Sequence, residues 1–196
     1  MSIPGYDAII LTGGRASRLG SPKQRLAYSG ATLLERAFAA CATARSVIVA
    51  GPTELDPPAR VRFAPEDPPF GGPVAGIASG LAALDEAGDP ADWILVLAVD
   101  HPELPAAVPA LLSALADAPA EVDSVLLEHG GEPQVLLGAH RRDSLRRALA
   151  ALGRTRDVSV RRLQADLNRA TVTVTGVDLS DIDTLTDAAR FGIELD

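Results

Sequence analysis

Short apolar runs alternate along this chain with stretches of helical period. The runs that read as strands occupy residues 8–12, 46–50, 61–64, 93–99, 124–127, 134–137 and 171–175, and the periodic stretches that read as helices occupy 32–42, 74–86, 106–117, 140–152, 158–165 and 184–191. Such alternation predicts an α/β fold: a mostly parallel sheet with helices on both faces. Local punctuation agrees. Thr32 and Glu35 have capping-box spacing at the start of the first helix, and Pro73 stands in the first turn of the second, where a missing N–H costs nothing. Gly192 is placed to end the last helix. Residues 93–99, Trp-Ile-Leu-Val-Leu-Ala-Val, are apolar throughout and predict a central strand buried on both faces.

Composition narrows the class. With 196 residues, 47% hydrophobic and 4% aromatic, and no dividing linker, the chain predicts one α/β domain with an aliphatic core. No apolar run approaches the ~18 residues of a membrane span, and the first residues carry no export signal, so a soluble, cytoplasmic protein without membrane contact is expected. A formal charge of −8 argues against nucleic acid as a partner. Cys41, the one cysteine, sits among alanines and reads as core filling.

The candidate chemistry begins where the first strand ends. Residues 7–26 hold three glycines, three arginines and a lysine, including Gly13, Gly14, Arg15, Arg18, Gly20 and Lys23. Glycines let backbone N–H groups face phosphate oxygens, and the cations supply charge, so the segment reads as a polyphosphate loop rather than a solvated surface turn. Its spacing fits neither a P-loop nor a dinucleotide fingerprint. In open α/β sheets ligands collect beyond the carboxyl ends of strands, and the central strand runs into Asp100-His101-Pro102. Asp100 therefore reads as a Mg²⁺ ligand beside bound phosphates, or else as a cap for a helix starting near Pro105; the intervening residues favour the metal. His101 reads as loop packing, because neighbouring residues at a strand end point in different directions; His129 and His140 are expected at the surface.

Together these segments resemble one family. The opening loop is similar to the L-x-G-G-x-x-x-R-x-G-x-x-K signature of small nucleotidyltransferases, and Asp100-His101-Pro102 to their metal motif. Glu66-Asp67 followed by Gly72-Pro73-Val74-Ala75-Gly76 resembles the molybdenum cofactor guanylyltransferases. The resemblance covers nearly the whole chain and implies a Rossmann-like three-layer sandwich of the nucleotide-diphospho-sugar transferase type. It implies that molybdopterin attacks the α-phosphate of GTP, giving a dinucleotide and pyrophosphate, with Mg²⁺ as cofactor. The nucleotide site falls mainly in residues 7–105 and the acceptor site in 106–196.

By that resemblance Arg18, Lys23 and Asp100 are catalytic, and GTP is bound by Leu11, Thr12, Gly13, Gly14, Arg15, Lys23, Asp67, Gly76 and Asp100. A carboxylate at Asp67 can accept from the N1–H and 2-amino group of guanine, and Asp67 reads equally well as a turn residue. Asp100, with Asp181 or Asp183, would hold the metal; this pair stands where the family commonly has Asn-x-Asn. Eight arginines lie between 141 and 162, and of these the loop carrying Arg154 and Arg156 is the candidate for the acceptor phosphate. Transient contact with molybdenum-insertion proteins or molybdoenzyme targets is also implied. The competing readings are a cytidylyltransferase on the same pterin or on another small phosphorylated acceptor, and an idle nucleotide-binding scaffold. Gly20-Ser21-Pro22-Lys23 leans to the cytidylyl branch, Gly13-Gly14 to the guanylyl branch, and retention of Lys23 and Asp100 speaks against idleness.

Overall fold

The computed structural model describes residues 3–13, 19, 21–51, 61–67 and 69–193. Nine strands occur among them: β1 (Tyr6–Leu11), β2 (Ala27–Tyr28), β3 (Ala31–Thr32), β4 (Val47–Ala50), β5 (Val61–Ala64), β6 (Trp93–Ala98), β7 (Ser124–His129), β8 (Glu132–Arg141) and β9 (Arg169–Thr173). The helices are α1 (Leu33–Ala40), α2 (Pro73–Glu86), α3 (Leu104–Ala116), α4 (Arg142–Leu152), α5 (Val160–Leu163) and α6 (Leu185–Arg190), with a 3-10 turn at Lys23–Arg25. Seven strands form one sheet in the order β5-β4-β1-β6-β8-β7-β9, and only β8 runs antiparallel to its neighbours.

Alternating side chains of the central strands feed two cores. Ala8 and Ile10 of β1 face one core with Leu33, Leu34, Leu104 and Leu111, while Ile9 and Leu11 face another with Val74, Ile77, Leu81 and Leu145. Helices α1, α3 and α6 thus cover one face, and α2, α4 and α5 the other. In β6, paired to β1 and β8, every residue is buried, as its unbroken apolar run predicts. A Cβ at Gly80 would come 2.7 Å from Ile9 Cγ2, so glycine lets α2 lie directly on β1.

The predicted caps are present. Thr32 and Glu35 form the capping box, and Pro73 opens α2. Gly192, at φ +66°, closes α6 with its N–H on Ala189 O while the Ile193 N–H returns to Ala188 O, a Schellman arrangement.

Three features depart from the sequence pattern. β2 and β3 form a hairpin turning at Ser29 and Gly30, both at positive φ, and two-residue strands carry no periodicity to read. β8 extends to Arg141, pairing His140 with Ile94 and Arg141 with Trp93, so the helix expected from residue 140 starts at Arg142. The expected helix 158–165 contracts to α5, capped by the Ser159 hydroxyl.

The order places the site. From β1 the chain moves to β4 and β5 on one side, then returns through α2 to β6 on the other. The connections diverge between β1 and β6, opening a crevice at their carboxyl ends, where ligands bind in open α/β sheets. Asp100 stands two residues past the end of β6.

Candidate functional site

Two backbone bonds anchor the crevice. Val99 N–H donates to Leu11 O at 3.0 Å, and Thr12 N–H to Ala50 O at 3.0 Å, carrying the sheet one residue beyond its strands. Leu11 and Thr12 are buried, with the Thr12 hydroxyl also on Ala50 O, so together they aim Gly13 outward. A Cβ at Gly51 would lie 2.6 Å from Thr12 Oγ1 and 2.9 Å from Gly13 N, which fixes how closely the chain after β4 packs there.

A carboxylate fills the space above Gly13. A Cβ on that glycine would fall 2.0 Å from Glu66 Oε1, and the same oxygen lies 3.8 Å from the corresponding point at Gly76. Burial raises the pKa of Glu66, opposed by hydrogen bonds from the Gly71 and Phe70 N–H groups. Phe70 lies at φ +55° with its ring exposed. Glu66 is a site residue to which sequence reasoning gave no role, although it stands two positions past β5 at the same end of the sheet as Asp100.

Past the end of β6, charges from three parts of the chain meet. Lys23 Nζ donates to Asp100 Oδ2 at 2.9 Å and also to Asp183 Oδ1. Burial pulls the Lys23 pKa down, but attraction by Asp100 and hydrogen bonds to both carboxylates outweigh it and raise the value above that of an ordinary lysine. Oxygens of Asp100, Asp181 and Asp183 lie within 4.8 Å of one another. Asp100 Oδ1 is buried without a hydrogen-bond partner among the described residues. An all-oxygen set with a buried carboxylate oxygen that lacks a hydrogen-bond donor suits a hard divalent cation, so these residues fit the metal that the sequence motif implies. Asp100 does not cap α3, whose N-cap position is Glu103.

The other candidates divide. Asp67 is exposed, and its backbone N–H donates to Ser79 Oγ at 3.0 Å. Arg154 and Arg156 are exposed on the loop after α4, which is tied to the Phe70-Gly71 turn where Asp157 N–H donates to Gly71 O at 2.9 Å. Gly14, Arg15 and Arg18 lie outside the described residues.

The remaining arginines of 141–147 do not gather toward Asp100. Arg141 pairs with Trp93 at the start of β6, and strand rise puts that position about 17 Å from its far end. Arg141 Nε donates to Val122 O and its guanidinium lies 4.5 Å from the Trp93 ring centroid; Arg142 is buried on Asp7, Asp85 and the Ala91 carbonyl.

The histidines also sort themselves. His101 packs as expected, buried with Nδ1 2.8 Å from Leu179 O. His140 departs from expectation: it is buried in β8 against Ser124 Oγ, which pairs with it from β7 at 2.7 Å, and burial pushes its pKa down to about 4. Cys41 is buried, as expected. Among the described residues no helix is long and apolar enough to cross a membrane.

Comparison with known proteins identifies the lineage. Residues 8–171 match the MobA-like NTP transferase domain. The chain is 35% identical over 179 residues to the molybdenum cofactor guanylyltransferase of Xanthomonas euvesicatoria, covering 90% of this chain and 87% of that one. Its fold is similar to that of molybdopterin-guanine dinucleotide biosynthesis protein A from Archaeoglobus fulgidus, with TM-score 0.66, 22% identity and coverage of 94% and 96%. It is similar also to 2-C-methyl-D-erythritol 4-phosphate cytidylyltransferase from Thermus thermophilus, with TM-score 0.61, 20% identity and coverage of 93% and 95%. The crevice between β1 and β6, its opening glycine and its aspartate thus have a family setting, and the chain belongs to the MobA-like nucleotidyltransferases.

Proposed function

We propose that this protein transfers GMP from GTP to the terminal phosphate of molybdopterin, with release of pyrophosphate. The observation that carries the reading is the meeting of Lys23, Asp100 and Asp183 at the crevice where the chain diverges between β1 and β6. The guanylyltransferase relative supports the choice of substrates.

Nucleotidyl transfer needs positioning and charge stabilisation more than covalent help from the protein. A bound Mg²⁺ supplies Lewis-acid stabilisation at the α-phosphate, and Asp100 with Asp183 would hold it. Gly13 and Gly14 offer amides to the nucleotide, while Leu11, Thr12 and Gly76 set the backbone around it. Lys23 and Arg18 neutralise the β- and γ-phosphates and the departing pyrophosphate, a task in which Arg15 can share. Asp67 accepts from the guanine edge. Arg154 and Arg156 are exposed on the loop whose Asp157 N–H is bonded to Gly71 O, and from there they can hold the acceptor's phosphate. The attacking phosphate oxygen is already anionic near neutral pH, so no general base is needed.

The test is incubation of the protein with Mg²⁺, molybdopterin and GTP or CTP, with products identified by mass. A guanine dinucleotide made by wild type and lost in Asp100→Asn is expected. A cytosine product would move the protein to the cytidylyl branch, and nucleotide binding without product from either would contradict transfer to this acceptor.

A further inference from the structure

The acidic cluster draws on a segment that has no regular structure of its own. Asp181 and Asp183 lie between β9 and α6, in a stretch that is neither helix nor strand. Its conformation must come from tertiary contacts, and these converge on the loop carrying Asp100. Ile182 N–H donates to the Asp100 carbonyl at 3.0 Å, and the side chains of Leu179 and Ile182 are 1% and 0% exposed. His101, 7% exposed, places Nδ1 2.8 Å from the Leu179 carbonyl. A carbonyl can only accept, so Nδ1 carries the proton, while Nε2 lies 3.7 Å from Asp100 Oδ1.

The segment is held again downstream. The Asp183 N–H donates to Asp187 Oδ2 at 3.2 Å, and the Phe191 ring meets Tyr28 edge-on at 5.7 Å between centroids. Tyr28 in turn donates its hydroxyl to Glu103 Oε1 at 2.6 Å, two residues beyond His101. The loop at 100–103 therefore grips the carboxylate-bearing segment on both sides of Asp183. Apolar packing at residue 101 would fill the same space, but it would leave the buried Leu179 carbonyl without its donor.

We propose that His101 is a positioning residue for the divalent-cation site. Its Nδ1–H, bound to the Leu179 carbonyl, docks residues 179–183 on the Asp100 loop and delivers the Asp183 carboxylate to Asp100. The inference rests on the reading that Asp100 and Asp183 hold the cation. The histidine acts as hydrogen-bonded partners outside a metal's ligand set do, by fixing where a ligand stands.

Mn²⁺ binding to the full-length protein, followed by electron paramagnetic resonance without nucleotide, tests this. Wild type, His101→Phe, His101→Asn, Asp183→Ala and Asp100→Asn are compared, each with its melting temperature. Asparagine can offer an amide N–H near the position of Nδ1, whereas phenylalanine keeps the bulk alone. His101→Phe is expected to weaken Mn²⁺ about 10-fold, toward the Asp183→Ala value, and His101→Asn to stay near wild type. Amide exchange at Ile182, which reports docking, is expected to quicken in His101→Phe and not in His101→Asn. Equal Mn²⁺ affinity in wild type and His101→Phe, or equal losses in both His101 variants, would overturn the role. Wild-type affinity that ignores Asp100→Asn would instead overturn the cation assignment, and the inference with it. Wild type alone gives a further check should a variant fail to fold: cation binding is expected to slow exchange of the His101 Nδ1 proton, and unchanged exchange at saturation contradicts the coupling.

Discussion

Replacing Lys23 with glutamine should move cation affinity and turnover in opposite directions. The Lys23 ammonium stands 2.9 Å from Asp100 Oδ2 and also touches Asp183, so a divalent cation using those carboxylates competes with it. A pair of unit charges about 4 Å apart is worth about 1 kcal/mol in water and about 4 kcal/mol at an effective dielectric of 20. Lys23 and Asp100 are 18% and 21% exposed, but Asp183 is 55% exposed, so solvent screening places the effect near the lower end. A change of about 1.4 kcal/mol is tenfold. Lys23→Gln should therefore bind Mn²⁺ about 10-fold more tightly than wild type in the absence of nucleotide. Turnover of GTP should fall by about 10²-fold, because the charge facing the departing pyrophosphate is gone. Paramagnetic resonance titration and a pyrophosphate-release assay read the two quantities on the same sample. Unchanged or weaker Mn²⁺ binding in Lys23→Gln would refute the idea that ammonium and cation share the carboxylates.

Other expectations follow from the same geometry. His140 is held neutral by burial, with a pKa of about 4 against 6.5 for the unfolded chain, so the unfolded state takes up more protons between those values. Stability from this group is complete above about pH 6.5 and falls as pH drops, by about 2 kcal/mol at pH 5 and about 3 kcal/mol at pH 4. Urea titrations followed by fluorescence of buried Trp93 measure it, and a slope over that window unchanged in His140→Gln would contradict the assignment. Arg142→Met leaves the buried Asp7 carboxylate without its cation and should cost about 3–5 kcal/mol of stability, checked by the same titration at pH 7. Asp67→Asn should lower the preference for GTP over ITP in competition assays, and an unchanged preference removes Asp67 from the base site.

Legibility in the sequence varied with the range of the interaction. Buried parallel strands such as β6 announce themselves through unbroken apolar runs, and the capping box at Thr32 needs only residues in one turn. The hairpin at Ser29-Gly30 was too short to carry a pattern, and the end of β8 was masked by residues that also fit helical spacing. His140 seemed isolated because Ser124, its partner, is 16 residues away and is found only by knowing the strand register. Of the eight arginines between 141 and 162 only Arg154 and Arg156 read as acceptor candidates, and the sequence did not show that α4 starts at the opposite end of the sheet from Asp100 or that Arg142 is buried on Asp7. Lys23 and Asp100 were legible one by one through motifs. Their contact across 77 positions, and the 160 positions between Lys23 and Asp183, became visible only with the fold.

The most direct test is a crystal structure of the protein with Mn²⁺ and a GTP analogue that carries a methylene in place of the α,β-bridging oxygen, using anomalous scattering to place the ion. The account predicts an anomalous peak bonded to Asp100 and Asp183 and to an α-phosphate oxygen, with Lys23 turned toward the β- and γ-phosphates. An ion and triphosphate bound elsewhere, with Lys23 still bridging the two carboxylates, would contradict it.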